Sequence, residues 1–316
     1  MSRWTTEYIP DLTGRLALIT GANSGLGLET TRALVAHGAH VVMTWRNKDK
    51  GQQALTTIQN QYPQAKVELM QLDLASLEAI RSFSAEFRQK YDQLDLLFNN
   101  AGVMAIPRSE TVDGFETQFG TNYLGHFALT GLLLPTLLNT PLSRIITTTS
   151  MARHMGQIDF DDLQRNRSYS RWETYGQSKK ANLLFAFELQ RRLSAIAANT
   201  ISVAAHPGYA STNLQSTSAV SSSARSEIFF YKYLNPIVAQ SGAMGALPQL
   251  YAATSSMIVG GELVGPGGFF GMRGYPKIER HSQREYNLPV AKRLWETSVE
   301  LTGVDYAALQ EPLQVK

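Results

Sequence analysis

A phenol and an ammonium group stand four residues apart, at Tyr175 and Lys179, in a stretch predicted to be helical from Thr174 to Leu193. That spacing places both side chains on one face of the helix, about one turn apart. A tyrosine with its ordinary pKa of about 10 exchanges protons poorly at pH 7, and a neighbouring cation favours the phenolate and lowers that pKa. We therefore interpret the pair as a candidate acid–base centre.

Two polar residues elsewhere in the chain can complete such a centre. Ser150 follows a predicted fifth strand, Arg144–Thr149, and its hydroxyl can hydrogen-bond to a substrate oxygen. Asn122 lies in a stretch with helical periodicity, from Gly114 to Leu138, and can fix a water that passes protons to Lys179. A tyrosine and a lysine at this spacing are common on helix surfaces. The pair therefore gains weight only from these companions and from a glycine-rich turn earlier in the chain.

That turn, residues 20–27 with the sequence TGANSGLG, separates the first predicted strand from the first predicted helix. Gly21 can adopt the dihedral angles of a sharp turn, Gly25 lets the backbone approach a pyrophosphate, and Gly27 lets the helix pack closely on the strand. Free N–H groups and the positive end of the helix dipole then face the phosphates. The alternative is an ordinary loop that contains three glycines. The residues predicted to bind a dinucleotide here are Gly21, Asn23, Ser24, Gly25, Leu26 and Gly27.

The residue after the second predicted strand, His40–Trp45, indicates which dinucleotide is bound. An acidic side chain at this point would bond the ribose 2′-hydroxyl of NAD and repel a 2′-phosphate. The chain has Arg46 there, whose planar cation can pair with a 2′-phosphate and stack on adenine. The prediction is NADP(H), and the alternative is that Arg46 is a solvated surface residue.

Two more strand ends carry polar residues that suit the same ligand. Asp73 and Leu74 follow the third predicted strand, and the Asn-Asn-Ala-Gly turn of residues 99–102 follows the fourth. Ligands of open α/β sheets bind at the carboxyl ends of strands. We expect Asp73 to contact the adenine amino group and the turn to hold the ribose, although each can also be a simple cap or turn. The residues predicted to bind are Asp73, Leu74, Asn100, Ala101 and Gly102.

Short, continuous apolar runs alternate with amphipathic stretches along most of the chain. Such runs suit strands covered on both faces, and strands separated by helices imply parallel pairing with right-handed crossovers. The prediction is a Rossmann-type doubly wound α/β fold with a parallel sheet, in a single domain spanning residues 1–316, with a lid at about 208–240 after the sixth strand. The predicted strands are Arg15–Thr20, His40–Trp45, Val67–Leu72, Leu94–Phe98, Arg144–Thr149 and Thr200–Ala205, with Phe269–Gly271 as a candidate seventh.

Composition excludes several classes of protein. Hydrophobic residues make up 43% of the 316, enough for a sizeable core, and the absence of cysteine removes disulfides, thiolate zinc sites, iron–sulfur clusters and a cysteine nucleophile. A net charge of +3 over this length does not indicate a nucleic-acid partner. The N-terminus lacks the apolar core of a signal peptide, and the longest apolar stretch, about residues 128–138, falls short of a membrane span. We therefore expect a cytoplasmic protein.

The end of the predicted lid is rich in aromatic and aliphatic residues between Phe229 and Val238. Three uses remain open for this cluster: contact with an apolar carbonyl substrate, packing onto the core or a second copy, and peripheral docking on a membrane surface. His206 is predicted to be a packed residue at a strand end, and the histidines show no metal-ligand spacing. The basic residues that would assist membrane docking are Lys232, Arg273, Lys277, Arg280 and Arg284.

Taken together, the motifs resemble the short-chain dehydrogenase/reductase family in its compact single-domain form, over about residues 10 to 305. The match consists of Thr-Gly-x-x-x-Gly-x-Gly, Asn-Asn-Ala-Gly, Tyr-x-x-x-Lys, the strand-end serine, the internal asparagine and a Pro-Gly pair at 207–208. The resemblance implies a catalytic tetrad of Asn122, Ser150, Tyr175 and Lys179. It also implies that Tyr175 and Lys179 contact the cofactor, and that Pro207, Gly208 and Thr212 cradle the nicotinamide and its carboxamide.

Finer features narrow the resemblance to the retinol dehydrogenase branch of that family. They are Arg46-Asn-Lys-Asp-Lys-Gly51, Leu124-Gly-His-Phe127, His206-Pro-Gly208 and Arg293-Leu-Trp-Glu296. Light-dependent protochlorophyllide reductases are close relatives, but they normally carry a cysteine directly after the Pro-Gly pair, where this chain has Tyr209.

The resemblance implies an oxidoreductase that transfers hydride between NADP(H) and a small apolar carbonyl compound such as retinal. Two alternatives remain: an enzyme similar to the light-dependent protochlorophyllide reductases, and a non-catalytic NADP(H)-binding regulatory protein on the same fold. Relatives often pair through the long helices around residues 111–139 and 174–195, so a homo-oligomer is implied by analogy.

Overall fold

All strands of the computed structural model, which describes residues 3–209 and 240–310, lie in one eight-stranded sheet. The spatial order is β3-β2-β1-β4-β5-β6-β7-β8; the first seven strands in this order pair in parallel, and β8 runs antiparallel to β7. The strands are β1 Leu16–Ile19, β2 His40–Trp45, β3 Val67–Gln71, β4 Leu96–Asn99, β5 Arg144–Thr148, β6 Ile201–Ala205, β7 Leu263–Gly268 and β8 Arg273–Ile278. The predicted Rossmann-type doubly wound sheet is confirmed.

Helices cover the sheet on both faces. They are α1 Gly25–Ala36, α2 Lys48–Gln61, α3 Leu77–Lys90, the single turn α4 Thr117–Phe119, α5 Gly125–Asn139, α6 Arg171–Ala195, α7 Gly242–Thr254 and α8 Leu288–Thr302. Successive residues of β1 enter different cores, because side chains alternate along a strand. Leu16 and Leu18 pack with α3, α5, α6 and α8, whereas Ala17 and Ile19 pack with α1, α2 and α7. Both faces are thus buried, which explains the continuous apolar runs of the strand sequences.

A cluster of buried aromatic rings fixes α5, α6 and α8 to one another. Phe127, Phe185, Trp295 and Tyr306 lie with ring centroids 4.5–6.4 Å apart. Such pairs contribute about 0.5–1.5 kcal/mol each beyond their buried area. The Tyr306 hydroxyl also donates to the Phe127 carbonyl at 2.7 Å. This packing holds α6, the helix that carries Tyr175 and Lys179, in a defined position against the sheet.

The predicted helical stretch from Gly114 to Leu138 is interrupted in the structure. Glu116 caps α4 by accepting from the main-chain N–H groups of Gln118 at 2.9 Å and Phe119 at 2.7 Å. A π-helical turn, Gly120–Leu124, then leads into α5. Turns of this kind occur frequently at functional sites, and this one carries Asn122.

The candidate seventh strand at Phe269–Gly271 is wrong. Those residues form a 3-10 turn in which Phe270 has a φ of 50°, and the seventh strand is Leu263–Gly268 directly before it. The turn has the apolar side chains typical of a strand. The true strand contains Pro266 and several glycines, which are uncommon in strands, so its sequence does not indicate one. A register shift between Pro266 and Gly268 accommodates them opposite β8.

The predicted lid falls almost wholly on residues 210–239, outside the described residues, and it stays a prediction. Within residues 3–209 and 240–310, no helix combines the length and hydropathy needed to cross a membrane.

Candidate active site

The glycine-rich turn lines a cleft at the carboxyl ends of β1 to β4, with a volume of about 200 Å³. Gly21 and Gly25 have φ angles of 66° and 53°, in the left-handed region that favours glycine. Gly27 is required for a different reason: a Cβ at this position would overlap the Gly21 carbonyl and lie 2.8 Å from Asn100 Nδ2. Of the predicted cofactor residues, this cleft is lined by Gly21, Asn23, Ser24, Gly25, Leu26, Gly27, Arg46, Asp73, Leu74, Asn100, Ala101 and Gly102.

Thr20 ties the glycine-rich turn to the Asn-Asn-Ala-Gly turn. Its hydroxyl accepts from the main-chain N–H groups of Asn100 at 2.8 Å and Ala101 at 2.9 Å, and its carbonyl accepts from Asn100 Nδ2 at 2.7 Å. Asn100 Oδ1 is left buried with no partner among the described residues. A buried acceptor of this kind normally has a donor, and a ribose hydroxyl can supply one. Ser24 occupies the N-cap position of α1, but its side chain makes no hydrogen bond to the helix. The first N–H groups of α1 therefore remain open to a phosphate.

Arg46 is an exposed residue at the rim of this cleft, beside Thr44 and Trp45. The next residue, Asn47, caps α2 by accepting from the Lys50 N–H at 3.0 Å. The side chain of Asn47 is therefore committed to the helix, and Arg46 is the basic residue among the described residues that line the cleft. Its position fits the sequence-based expectation of a cation where NAD-binding proteins have an acid.

A second cavity of about 330 Å³ adjoins the first and shares Leu26, Asn100, Gly102 and Val103 with it. Ser150, Tyr175 and Lys179 all line this second cavity. Pro207 and Gly208, which follow β6, lie there as well, whereas Thr212 is outside the described residues. Most of the remaining wall is apolar or aromatic: Met104, Met151, Ala152, Met155, Trp172, Tyr209 and Met272.

The side chains of Ser150 and Tyr175 line the same cavity, and the Ser150 hydroxyl acts to lower the pKa of Tyr175. Ser150 Oγ also accepts from the Ala152 N–H at 3.2 Å, which caps the 3-10 turn after β5 and fixes the hydroxyl. Tyr175 is 7% exposed, and burial raises its pKa to about 12. The phenol is consequently protonated at neutral pH.

Lys179 is 4% exposed, and burial lowers its pKa to about 8. Its Nζ donates to the Thr148 carbonyl at 3.1 Å and lies 5.8 Å from the centroid of the Tyr175 ring. The expectation that this ammonium lowers the pKa of Tyr175 is not met, because the cost of burying a phenolate outweighs the attraction of a cation at that distance.

Asn122 lies behind Gly102 rather than at a cavity wall. Its Oδ1 accepts from the Val103 N–H at 2.7 Å, and its Nδ2 donates to the Val103 carbonyl at 2.9 Å and to Ser178 Oγ at 3.0 Å. The side chain therefore fastens the loop after β4 to α6, and a Cβ at Gly102 would lie only 2.9 Å from Asn122 Oδ1.

His126 is a site residue that the sequence reasoning missed. Its Nδ1 donates to the Asn122 carbonyl at 2.9 Å, and its Nε2 lies 2.9 Å from the Thr20 hydroxyl. Burial lowers the pKa of His126 to about 4, so the ring is neutral at pH 7 and bridges the two halves of the site. The available signal was its spacing, four residues or one helical turn after Asn122.

A sequence profile described as short chain dehydrogenase matches residues 15–221. The chain belongs to the short-chain dehydrogenase family. Members of this family are oxidoreductases that act on alcohol and carbonyl groups with nicotinamide cofactors. The residues present fit such a cofactor, since the cleft offers helix N–H groups, glycine-lined space and an unpartnered amide oxygen.

Within the short-chain dehydrogenase family, the chain is similar to human retinol dehydrogenase 12 and human polyprenol dehydrogenase. Identity to the former is 38% over 297 residues, covering 93% of this chain and 88% of the relative. Identity to the latter is 35% over 305 residues, covering 93% and 87%. A crystal structure of an uncharacterised protein from Mycobacterium paratuberculosis is similar with a TM-score of 0.79 and 40% identity, covering 96% of this chain and 99% of that one. The resemblance to the retinol dehydrogenase branch is thus confirmed.

Proposed function

We propose that this protein is an NADP(H)-dependent oxidoreductase that interconverts an apolar aldehyde or ketone and the corresponding alcohol. The observation that carries the proposal is the junction of the two cavities. The cleft suited to a dinucleotide opens, across Asn100, Gly102 and Val103, into an apolar cavity that is lined by Ser150 and Tyr175. Such a junction supports the proposal, because carbonyl reduction needs a hydride donor and a proton donor on either side of the carbonyl group.

When bound, NADPH supplies a hydride to the carbonyl carbon. Tyr175 donates a proton to the carbonyl oxygen, and its raised pKa keeps that proton in place at neutral pH until the oxygen develops negative charge. Ser150 hydrogen-bonds to the same oxygen and polarises it, while the Ala152 N–H keeps the hydroxyl oriented. The alcohol leaves with one hydride and one proton added, and Tyr175 is then reprotonated.

Lys179 and Asn122 support this proton transfer from behind the cavity. Lys179 carries a positive charge below a pH of about 8 and, in the proposal, holds the nicotinamide ribose and takes part in resupplying the proton. Asn122 fixes the Gly102–Val103 segment against α6. Because both cavities are lined by this segment, Asn122 holds their shared wall in place. That Asn122 also orders a proton-carrying water remains a prediction.

The preference for NADP(H) over NAD(H) rests on Arg46. A guanidinium at the cleft rim favours a 2′-phosphate through a charge-assisted hydrogen bond, and neither of the two residues directly after β2, Arg46 and Asn47, is acidic. Asp73 contributes less to this choice, because its Oδ1 already accepts from the Ala75 N–H at 2.9 Å.

The preference for an apolar substrate rests on the wall of the second cavity. Met104, Met151, Met155 and Met272 provide flexible, polarisable side chains, and Trp172 packs edge-on to Tyr175 with ring centroids 6.3 Å apart. Two relatives, a retinol dehydrogenase and a polyprenol dehydrogenase, are named for long apolar alcohols. Retinal and other long unsaturated aldehydes are therefore the substrates of choice for a first test.

The test is a carbonyl screen with purified protein. Retinal, a long straight-chain aldehyde and glyceraldehyde are each mixed with NADPH or NADH, and loss of the reduced-nicotinamide absorbance is followed in the dark and under illumination. Turnover with NADPH and the apolar aldehydes in the dark is expected. NADPH binding without turnover of any carbonyl would indicate a nucleotide-binding regulatory protein, and turnover only with light and protochlorophyllide would indicate the photoenzyme.

A further inference from the structure

His206, at the end of β6, makes two hydrogen bonds whose roles are fixed by their partners. The residue is 1% exposed. Its Nδ1 lies 3.1 Å from the main-chain nitrogen of Gly208, and its Nε2 lies 2.6 Å from Glu279 Oε1. The Gly208 N–H can only donate, so Nδ1 must accept, and the proton of the neutral ring lies on Nε2, directed at the carboxylate.

Glu279 connects this histidine to Arg153, in the 3-10 turn that follows β5. Its second oxygen lies 3.3 Å from Nη2 of Arg153, which is 3% exposed and also pairs with Glu285 at 3.0 Å. Arg153 Nη1 in turn donates to the Ser150 carbonyl at 3.3 Å. His154 Nδ1 lies 3.7 Å from Glu285 and is the other titratable group facing the cluster among the described residues. Although burial raises the pKa of Glu279, the His206 hydrogen bond and Arg153 bring it below its usual range.

Gly265 on β7 provides the space in which the pair lies. A Cβ there would overlap both His206 Nε2 and Glu279 Oε1. The fold thus brings together His206 after β6, Glu279 after β8 and Gly265 on β7, and the glycine leaves room for the buried hydrogen bond between the other two. A histidine that only filled core space would not require a carboxylate directed at it from the residue that follows β8.

We propose that His206, oriented by Glu279, is a positioning residue for the Pro207–Gly208 turn, which lines the nicotinamide side of the site, and that Arg153 ties the same pair to the main chain at Ser150. The inference deepens the proposed function and depends on it. Gly208 has a φ of 64°, and further hydrogen bonds hold this turn. Gln240 Nε2 donates to the Pro207 carbonyl at 2.7 Å, and the Tyr209 N–H donates to the Met272 carbonyl at 2.7 Å. The contact with His206 is the one that fixes the Gly208 N–H.

Two substitutions separate the two hydrogen bonds of the ring. In His206→Asn, the amide oxygen occupies the place of Nδ1 and can still accept from Gly208, but the reach to Glu279 is lost. In His206→Gln, the longer side chain reaches Glu279, but the acceptor for Gly208 is lost. Both variants remove an imidazole from the same buried position, so they control for each other in folding, which thermal unfolding monitors.

The measurements are the dissociation constants of NADPH and of 2′,5′-ADP, by fluorescence or calorimetry. The second probe contains only the adenine half and does not reach residues 207–208. We expect His206→Gln to weaken NADPH binding about tenfold, the net value of one hydrogen bond, and His206→Asn to weaken it less than about threefold. Binding of 2′,5′-ADP should be unchanged in both. If His206→Gln does not fold, Glu279→Ala is used instead, and it should weaken NADPH binding about threefold, through loss of the group that orients His206, without affecting 2′,5′-ADP.

Equal NADPH affinities in the two His206 variants, or a parallel loss of 2′,5′-ADP binding, would overturn the positioning role while leaving the proposed function intact. An unchanged NADPH affinity in Glu279→Ala would do the same. Wild-type protein that binds neither probe would remove the proposed function and this inference together.

Discussion

The dinucleotide cleft and the substrate cavity share a wall, yet they are built differently. The cleft is formed by short loops at strand ends, residues 21–27, 44–46, 72–74 and 100–103, and much of its binding surface is main chain. The substrate cavity draws side chains from segments that are distant in the sequence, among them Met104, Met151, Trp172 and Met272. Main-chain sites require particular backbone angles, and glycines mark such angles in a sequence. Side-chain cavities require packing, which local sequence does not mark.

The largest effect is expected at the junction of the two regions. Tyr175→Phe should lower kcat about 1,000-fold, because the proton donor is removed, while the dissociation constant of NADPH changes less than about twofold. Stopped-flow reduction of retinal and a fluorescence titration measure the two quantities. Tyr209→Phe, which removes the other phenol of the same cavity, is the matched control and should retain turnover. If turnover is lost in Tyr209→Phe but survives in Tyr175→Phe, then Tyr209 and not Tyr175 donates the proton.

The cleft alone is tested by reversing the charge at its rim. Arg46→Asp should raise the KM for NADPH about 100-fold and lower that for NADH, because a carboxylate repels a 2′-phosphate and accepts from a ribose hydroxyl. Lys48→Asp makes the same charge change in the first turn of α2, outside the cleft lining, and should alter neither KM more than about threefold. Equal effects of the two variants would mean that the electrostatic potential of the whole surface, and not a contact made by Arg46, selects the cofactor.

The pH dependence sharpens the assignment of Lys179. Its pKa is lowered to about 8, so the charged form that the mechanism uses is present below that pH and is lost as the pH rises through it. We expect kcat/KM for carbonyl reduction to fall about tenfold per pH unit above pH 8, since this ratio reports groups of the free enzyme. In Lys179→Arg, activity is lower but the alkaline fall should disappear, because guanidinium does not deprotonate. A wild-type profile that is flat to pH 9.5 would contradict the role of the ammonium.

The smallest effect is expected at the outer wall of the substrate cavity. Met155 is 55% exposed and lines the cavity, so Met155→Gln should raise the KM for retinal about threefold and leave the KM for NADPH unchanged. Met257→Gln replaces a methionine that is 73% exposed and lies outside the cavity lining, and it should change neither constant. A rise in the KM for NADPH with Met155→Gln would show that the two regions are less separate than their composition suggests.

The strands were largely predictable from the sequence, and the reasons for the exceptions are physical. β2 begins and ends at the predicted residues, and the first six strands all lie within about two residues of their predicted bounds, because buried parallel strands are continuous apolar runs. The seventh was misplaced and β8 was not predicted. Pro266 and three neighbouring glycines mask β7, and the alternation of β8 is interrupted by Gly274 and Pro276.

The candidate site divides in the same way. The glycine-rich turn, Arg46 and the Tyr175–Lys179 pair were readable, since glycine angles and the helical repeat are local properties. The direction in which the pKa of Tyr175 shifts could not be predicted, because it depends on how much water the folded chain excludes from the phenol.

Local chemistry in the chain was thus sufficient to specify the family, the sheet and most of the dinucleotide cleft. The contact between His126 and Thr20, the path from His206 through Glu279 to Arg153, and the methionine-lined wall could be found only after folding. These features join residues that are far apart in the chain or buried together. Their hydrogen bonds, charges and shape depend on tertiary packing, which excludes water and fixes distances that no sequence spacing encodes.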